Sequence, residues 1–222
     1  MDKIEKSLEK NIDSPIGVSI KRINCDECIH KSKLLCNGSN RISIIGSSGS
    51  GKSTVLLQLI PMFTNDLKYI ILATVKDNDD AHTAIEKYCN EYKIKFVKVN
   101  NPETAMDEID KVLQSKKISD HALIIFDDYA TGYNSSANDP SNKVIVTCYS
   151  LLRSFNCSMI MITQSYNNVP TRVRENITML ILFKLKNVFS LRAALEDING
   201  MFSCGDDNDK NTKTEIGKIY KD

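Results

Sequence analysis

Short apolar runs alternate with longer mixed segments along most of this chain. The runs are rich in isoleucine, leucine and valine, and polar or turn-forming residues flank them, as is typical of buried strands. We predict strands over 42–45, 69–73, 96–99, 121–128, 158–163 and 179–185. The stretch 16–20 is a candidate for a further strand near the amino terminus.

The segments between these runs carry apolar residues at helical spacing. Ala81 and Ile85 share one helical face, and Ile109 and Val112 share another. We predict a helix that ends at Pro61, a helix that starts near Pro102, and helices over 79–92, 144–155 and 189–198. Polar loops are predicted over 130–142 and from 164 to 176.

Strands that alternate with helices, and that show little period-two patterning, indicate a mostly parallel sheet covered on both faces. The predicted fold class is therefore α/β with three layers. Ligands of such sheets bind at the carboxyl ends of the strands. We divide the chain into an amino-terminal extension over 1–40, one α/β domain over 41–202 and a polar tail over 203–222.

The first of the main strands leads into a glycine-rich loop and then a helix. Four residues fit every fixed position of the phosphate-binding pattern G-x-x-x-x-G-K-[ST]. The N–H groups of such a loop form a nest for phosphate oxygens, and the following helix adds its partial positive charge. Lys52 is predicted to reach the β- and γ-phosphates of ATP, and Ser53 to bind Mg²⁺. The predicted phosphate site comprises Gly46, Ser47, Ser48, Gly49, Ser50, Gly51, Lys52, Ser53 and Thr54.

A second candidate element is the acidic end of the strand over 121–128. Four apolar residues run directly into Asp127 and Asp128. A carboxylate at this place is suited to hold Mg²⁺ through water, and we assign that role to Asp127. Asp128 is the candidate base for the attacking water, although glutamate is usual there. The alternative is that Asp127 and Asp128 are simply two carboxylates at a solvated strand end, without a functional role.

Polar residues also follow the next strand. An amide at Gln164 can hydrogen-bond a γ-phosphate or a lytic water. Arg172 and Arg174 are candidates for a catalytic arginine that acts across a subunit boundary. Alternatively, either arginine is a surface cation or binds DNA phosphate.

Four residues of the amino-terminal extension have the side chains of a zinc site. Cys25, Cys28, His30 and Cys36 supply three thiols and an imidazole, the ligand set of a tetrahedral Cys₃His site for Zn²⁺. The spacing is cramped, because His30 follows Cys28 by only two residues. The alternative is that these cysteines are unpaired thiols.

Charge is distributed unevenly, although the net charge is only +1. Residues 141–192 contain seven Lys/Arg and one acid, whereas residues 76–120 contain eight Lys/Arg and ten Asp/Glu. A basic second half is compatible with nucleic acid or nucleotide phosphate, or with a solvated cationic face. No apolar run approaches the ~20 residues of a membrane span, and the polar amino terminus is not a secretory signal. With seven cysteines and no such signal, we expect reduced thiols and an intracellular location.

Four segments together resemble the poxvirus-type DNA-packaging ATPases of the FtsK/HerA superfamily. They are 46–54, 124–128, 162–164 and 169–176, and the resemblance covers about residues 40–185. The first two are shared by many P-loop ATPases. The Thr-Gln pair at a strand end and the Pro-x-x-x-Arg-x-Asn stretch favour the packaging ATPases among these P-loop ATPases.

This resemblance implies a RecA/ASCE-like P-loop fold that binds ATP and Mg²⁺, with Gln164 as the polar sensor. It implies a ring of five or six copies that drives double-stranded DNA into a preformed capsid of a large DNA virus or virophage. The implied partners are DNA, other copies of the chain, and a capsid or portal protein. The implied location is the host cytoplasm, the viral factory or the virion. The resemblance does not decide which arginine acts in catalysis, because this chain has two candidates, Arg172 and Arg174.

Two other functions remain open from the sequence. A small-molecule kinase has a similar length and the same loop, but it needs an arginine-rich lid. A nucleotide-gated assembly or partition protein needs only slow hydrolysis, which Asp128 in place of glutamate would permit.

Overall fold

A six-stranded parallel sheet forms the centre of the molecule. The computed structural model describes residues 39–63, 67–77, 79–129, 140–151 and 155–202. The strands are β1 Arg41–Ile45, β2 Leu67–Thr74, β3 Lys95–Val99, β4 His121–Asp127, β5 Cys157–Thr163 and β6 Met179–Leu182. Their order is β3-β2-β4-β5-β1-β6, and every neighbouring pair is parallel. The predicted parallel α/β fold is confirmed.

Helices cover both faces of this sheet. They are α1 Lys52–Leu59, α2 Asp80–Tyr92, α3 Ala105–Ser115, α4 Pro140–Leu151, α5 Thr171–Arg174 and α6 Val188–Phe202. Short 3₁₀ turns occur at Ile60–Met62 and Tyr166–Asn168. Helices α1 and α2 contribute to the core on one face, whereas α3, α4 and α6 contribute to the core on the other. The three layers are therefore observed.

The two cores follow from the alternation of side chains along a strand. Ile44 and Ile125 pack with α1 and α2, whereas their neighbours Ile45 and Phe126 point to the opposite face. All four are fully buried. Burial of one such side chain contributes about 1.5–3 kcal/mol to folding, so a sheet that is covered on both faces is strongly stabilised.

Several predictions of element boundaries differ from the structure, and α6 also ends at Phe202 rather than 198. Helix α4 begins at Pro140 rather than 144, because proline is well suited to the first turn of a helix. Strand β6 ends at Leu182 rather than 185, where Phe183 packs beside the glycine-rich loop. The predicted polar loop over 164–176 contains a 3₁₀ turn and the four-residue helix α5.

Several other predictions lie outside the described residues or are untested. The extension over 1–38, the tail over 203–222 and most of the loop over 130–142 fall outside, so the domain division stays a prediction. Within the described residues, three cysteines are free and buried, and burial raises the pKa of the Cys148 thiol to about 12. No helix in these ranges is both long and apolar enough to cross a membrane.

The strand order determines which strand ends meet. Strand β5 lies between β1 and β4, so the carboxyl ends of these three strands are adjacent. Strand β2 lies on the other side of β4, and Thr74 at its end is paired with Asp127. The glycine-rich loop, the acidic pair and Gln164 therefore share one edge of the sheet.

Candidate functional site

The glycine-rich loop is held to the sheet by its backbone. The Gly46 N–H donates to the Thr163 carbonyl of β5 at 3.2 Å, and the Ser50 N–H donates to the Ser47 carbonyl at 3.2 Å. Lys52 folds back over this loop, where its Nζ donates to the carbonyls of Gly46 at 2.7 Å and Ser47 at 2.9 Å. Burial lowers the pKa of Lys52, although the charges of Asp128 and Asp127 oppose that shift.

Two positions of the loop require glycine for different reasons. Gly51 immediately precedes α1 and has a φ of 97°, a conformation that other residues rarely adopt. Gly46 has no room for a side chain, because an added Cβ would lie 2.5 Å from Phe183 Cβ and 2.6 Å from Ser50 Oγ. The loop therefore packs directly against the end of β6.

Gly46→Ala is expected to lower the free energy of unfolding by about 2 kcal/mol or more, because the new Cβ overlaps Phe183. Gly49→Ala is the matched control. It places a residue at a φ of 75° but meets no atom within 4 Å, so we expect a loss of only about 1 kcal/mol. Urea unfolding of both variants measures the difference. Equal stabilities would contradict the close packing at Gly46.

Asp127 is a buried carboxylate with two cationic or hydrogen-bonding neighbours. Its side chain lies 2.8 Å from Nε2 of His82 and 3.4 Å from Nζ of Lys76. Burial alone would raise the pKa of Asp127, but the hydrogen bond from His82 and the charge of Lys76 outweigh that effect and lower it. The carboxylate is therefore favoured in its ionised form.

Asp128 has an unusual backbone conformation and a carboxylate with two partners on one oxygen. Its φ is 47°, and its N–H donates to the Ile162 carbonyl of β5 at 3.0 Å. Left-handed backbone is tolerated better by aspartate and asparagine than by most residues, which suits aspartate in place of the usual glutamate. Oδ2 of Asp128 lies 3.1 Å from Nε2 of Gln164 and 3.0 Å from Nζ of Lys76.

These residues fit a phosphate group and a hard cation. The Ser50 hydroxyl is buried without a partner among the described residues, within a loop in which Gly49 and Gly51 have the positive φ that favours anion-binding nests. The ionised oxygens of Asp127 are ligands of the type that Mg²⁺ prefers. Ser53 and Thr54, at the exposed start of α1, complete the loop and offer hydroxyl groups.

The two arginines are in different situations. Arg174 donates from Nε to the Val169 carbonyl at 2.8 Å, pairs with Asp197 at 3.3 Å, and lies over the Tyr166 ring. Arg172 is exposed. Within the described residues, neither side chain bonds to the glycine-rich loop. Both arginines and Lys143 line a separate groove of about 650 Å³ between α4 and the segment around α5.

The sequence predictions missed Lys76 and His82, although both contact the acidic pair. Lys76 follows β2, and His82 lies in the first turn of α2. Only the pairing of β2 with β4 brings them to Asp127, and no local pattern marks that pairing. The predicted zinc ligands Cys25, Cys28, His30 and Cys36 lie outside the described residues.

The chain is similar to a set of viral proteins. DNA packaging protein OPG160 of monkeypox virus is 30% identical over 154 residues, which cover 65% of this chain and 48% of that protein. DNA packaging protein OPG160 of vaccinia virus (strain Copenhagen) is 30% identical over 153 residues, which cover 65% of this chain and 53% of that protein. The chain spans about half the length of the curated relatives it matches.

One solved structure supports the fold, and a second resembles it only slightly. The cytoplasmic domain of EssC has a TM-score of 0.51 at 14% identity, and the match covers 71% of this chain and 35% of that one. The pCW3 conjugation coupling protein TcpA, solved with ATPγS, has a TM-score of 0.45 at 14% identity, with 63% and 47% covered. The first likeness supports the fold alone, and the second is too slight to carry further meaning.

The family follows from the sequence model of the Poxvirus A32 protein, which matches residues 28–197. That match spans more than half of the 222 residues and includes the glycine-rich loop, the acidic pair, Gln164 and both arginines. The resemblance to poxvirus-type packaging ATPases is therefore confirmed, and the chain belongs to the poxvirus A32 protein family.

Proposed function

We propose that this chain is an ATPase that hydrolyses ATP to ADP and phosphate and so drives double-stranded DNA into a viral capsid. The observation that carries this proposal is the bridge between Gln164 and Asp128, whose side chains meet at 3.1 Å beside the phosphate loop. It joins a candidate sensor to a candidate base at adjacent strand ends. The relatives are named DNA packaging proteins, which supports DNA as the polymer that is moved.

Each residue of the site has a separate proposed role. The N–H groups between Gly46 and Thr54, other than those of Gly46 and Ser50, bind phosphate oxygens, and Lys52 neutralises charge on the β- and γ-phosphates. Asp128 orients or deprotonates the attacking water, and the Gln164 amide contacts that water or the γ-phosphate. Ser53 and Asp127 hold Mg²⁺, which when bound supplies positive charge to the phosphate oxygens.

The arginines suggest how copies of the chain cooperate. Arg174 is bound to Val169 and Asp197 of its own chain, whereas Arg172 is exposed, so we assign the trans-acting role to Arg172. A ring of five or six copies in the host cytoplasm or viral factory, docked on a capsid or portal protein, is the proposed assembly. Mixing Arg172→Ala subunits with Lys52→Met subunits tests this role, because a mixed ring regains sites in which an intact Lys52 meets the Arg172 of a neighbouring copy. Mixtures that stay as inactive as either variant alone would contradict it.

ATP hydrolysis by the full chain is expected to rise several-fold when double-stranded DNA is added. The stimulation should weaken as salt is raised, because phosphate contacts release counterions. A steady-state assay at several salt concentrations, on a sample of measured mass, provides the test. The Asp128→Asn variant serves as the control for contaminating hydrolase. A rate that DNA leaves unchanged at every salt concentration would contradict a translocase.

A nucleotide-gated assembly protein remains the second candidate, because one observation favours it. The ammonium of Lys76 lies 3.0 Å from Oδ2 of Asp128, the oxygen that Gln164 also contacts, so this oxygen has to lose a partner before it can accept a proton from water. Hydrolysis without DNA would then be slow. Turnover well above the ~10⁻⁴ per second of an unassisted switch protein would exclude this candidate.

A further inference from the structure

The imidazole of His82 reaches the acidic pair from helix α2, outside every motif described above. Its side chain is 4% exposed, and its Nε2 lies 2.8 Å from Asp127 Oδ2. This is the shortest side-chain contact of Asp127, because Nζ of Lys76 stands 3.4–3.5 Å from the two carboxylate oxygens. A buried polar ring so close to a buried carboxylate is part of the environment that fixes that carboxylate.

The position of His82 is determined by the start of α2. Asp79 caps this helix, because its Oδ1 accepts from the Ala81 N–H at 2.9 Å. One turn further on, Ile85 is buried in the same core as the strands beside β4. The helix therefore fixes the position of the His82 side chain beside Asp127, at the carboxyl end of β4.

The hydrogen bond also determines which carboxylate oxygen is less engaged. Nε2–H of His82 donates to Oδ2, whereas Oδ1 of Asp127 has, among the described residues, only the 3.5 Å contact with Lys76. A donor that occupies one oxygen sets the rotation of the carboxylate and directs the other oxygen away from the ring. Partners of this kind influence metal binding without touching the metal.

We propose that His82 is a positioning residue, which holds the Asp127 carboxylate in the orientation that binds the magnesium of magnesium–ATP. This inference rests on the proposed function. It assigns His82 no contact with the metal, and it separates His82 from Lys76, whose positive charge opposes a cation at Asp127. Loss of His82 should therefore weaken metal-dependent binding, whereas loss of Lys76 should not.

Asp79, His82 and Asp127 could instead form a cation site themselves, since their ligand atoms lie within 4.8 Å of one another. Two of these groups already make hydrogen bonds with the atoms in question. Oδ1 of Asp79 caps α2, and Nε2 of His82 is hydrogen-bonded to Asp127. The hydrogen-bonded arrangement accounts for the positions of all three side chains.

The test is the affinity of the full chain for a fluorescent ATP analogue, titrated with magnesium and again in EDTA. His82→Leu keeps the apolar volume but removes the donor, and it should raise Kd with magnesium by about ten- to a hundredfold. Kd in EDTA should stay within twofold, because the phosphate loop is unchanged. His82→Gln, whose Nε2 can occupy the donor position, should restore magnesium-dependent binding to within threefold of wild type.

Other outcomes would overturn the inference. The inference is wrong if His82→Leu leaves the Kd with magnesium unchanged, or if His82→Gln loses as much affinity as His82→Leu. It is also wrong if His82→Leu loses the same affinity with magnesium and in EDTA, because that result would indicate a general structural role. His121→Leu, the same change at the opposite end of β4, is the matched control and should not alter the magnesium effect. If His82→Leu does not fold, His82→Asn gives the same comparison, since its shorter amide does not reach Asp127. A wild-type chain that binds no nucleotide would instead refute the proposed function.

Discussion

Replacing Lys52 with methionine is expected to lower kcat/KM for ATP by about two to three orders of magnitude. Its ammonium lies directly over the phosphate loop, held by the Gly46 and Ser47 carbonyls, so it is preorganised for phosphate charge. Removal of one preorganised charge from a phosphoryl site costs about that much. Methionine keeps most of the length of the side chain, which limits the loss to the charge and its hydrogen bonds.

Steady-state kinetics and the melting temperature of Lys52→Met should be measured together. Lys111→Met is the matched control, because Lys111 is exposed on α3, which packs on the opposite face of the sheet from α1. We expect the control to stay within twofold of wild type. Near-normal kcat/KM in a well-folded Lys52→Met variant would mean that the loop does not bind the triphosphate as proposed.

Asp128→Asn should separate binding from hydrolysis. Asparagine tolerates the left-handed backbone at this position and can still accept from Gln164 and Lys76, so the local structure should persist. It cannot accept a proton from water. We expect kcat to fall by about 10²–10⁴-fold while the Kd for ATP stays within about threefold.

Asp120→Asn makes the same chemical change at the other end of β4, where Asp120 accepts only from the Lys117 N–H among its described side-chain contacts. It should leave kcat unchanged. The measurement is single-turnover hydrolysis alongside equilibrium binding. Equal turnover in wild type and Asp128→Asn would remove Asp128 from the role of base.

The predictable part of this molecule is the part that depends on neighbouring residues. The glycine-rich loop between β1 and α1 could be predicted because Gly46, Gly51, Lys52 and Ser53 stand at a fixed local spacing. Asp127 could be predicted because it directly follows a buried apolar run. Both patterns can be recognised in the sequence without knowing which strands are neighbours.

The contacts around the acidic pair could not be predicted in this way. His82 and Lys76 stand 45 and 51 residues before Asp127, and only the placement of β2 beside β4 brings them together. Helix α5 was missed because four residues are too few to display a helical period. The start of α4 was missed although Pro140 is a local signal for a first turn.

The carbonyl of Thr163 anchors the Gly46 N–H, yet every amino acid has such a carbonyl. The Thr163 side chain is buried, and its one hydrogen bond within the described part of the chain is a weak 3.5 Å contact with the Ser165 carbonyl. A systematic replacement survey would therefore find this position permissive towards similar-sized residues such as valine. Tolerance there would conceal a coupling through the main chain, because any displacement of the last residue of β5 also moves the glycine-rich loop that we propose to bind phosphate.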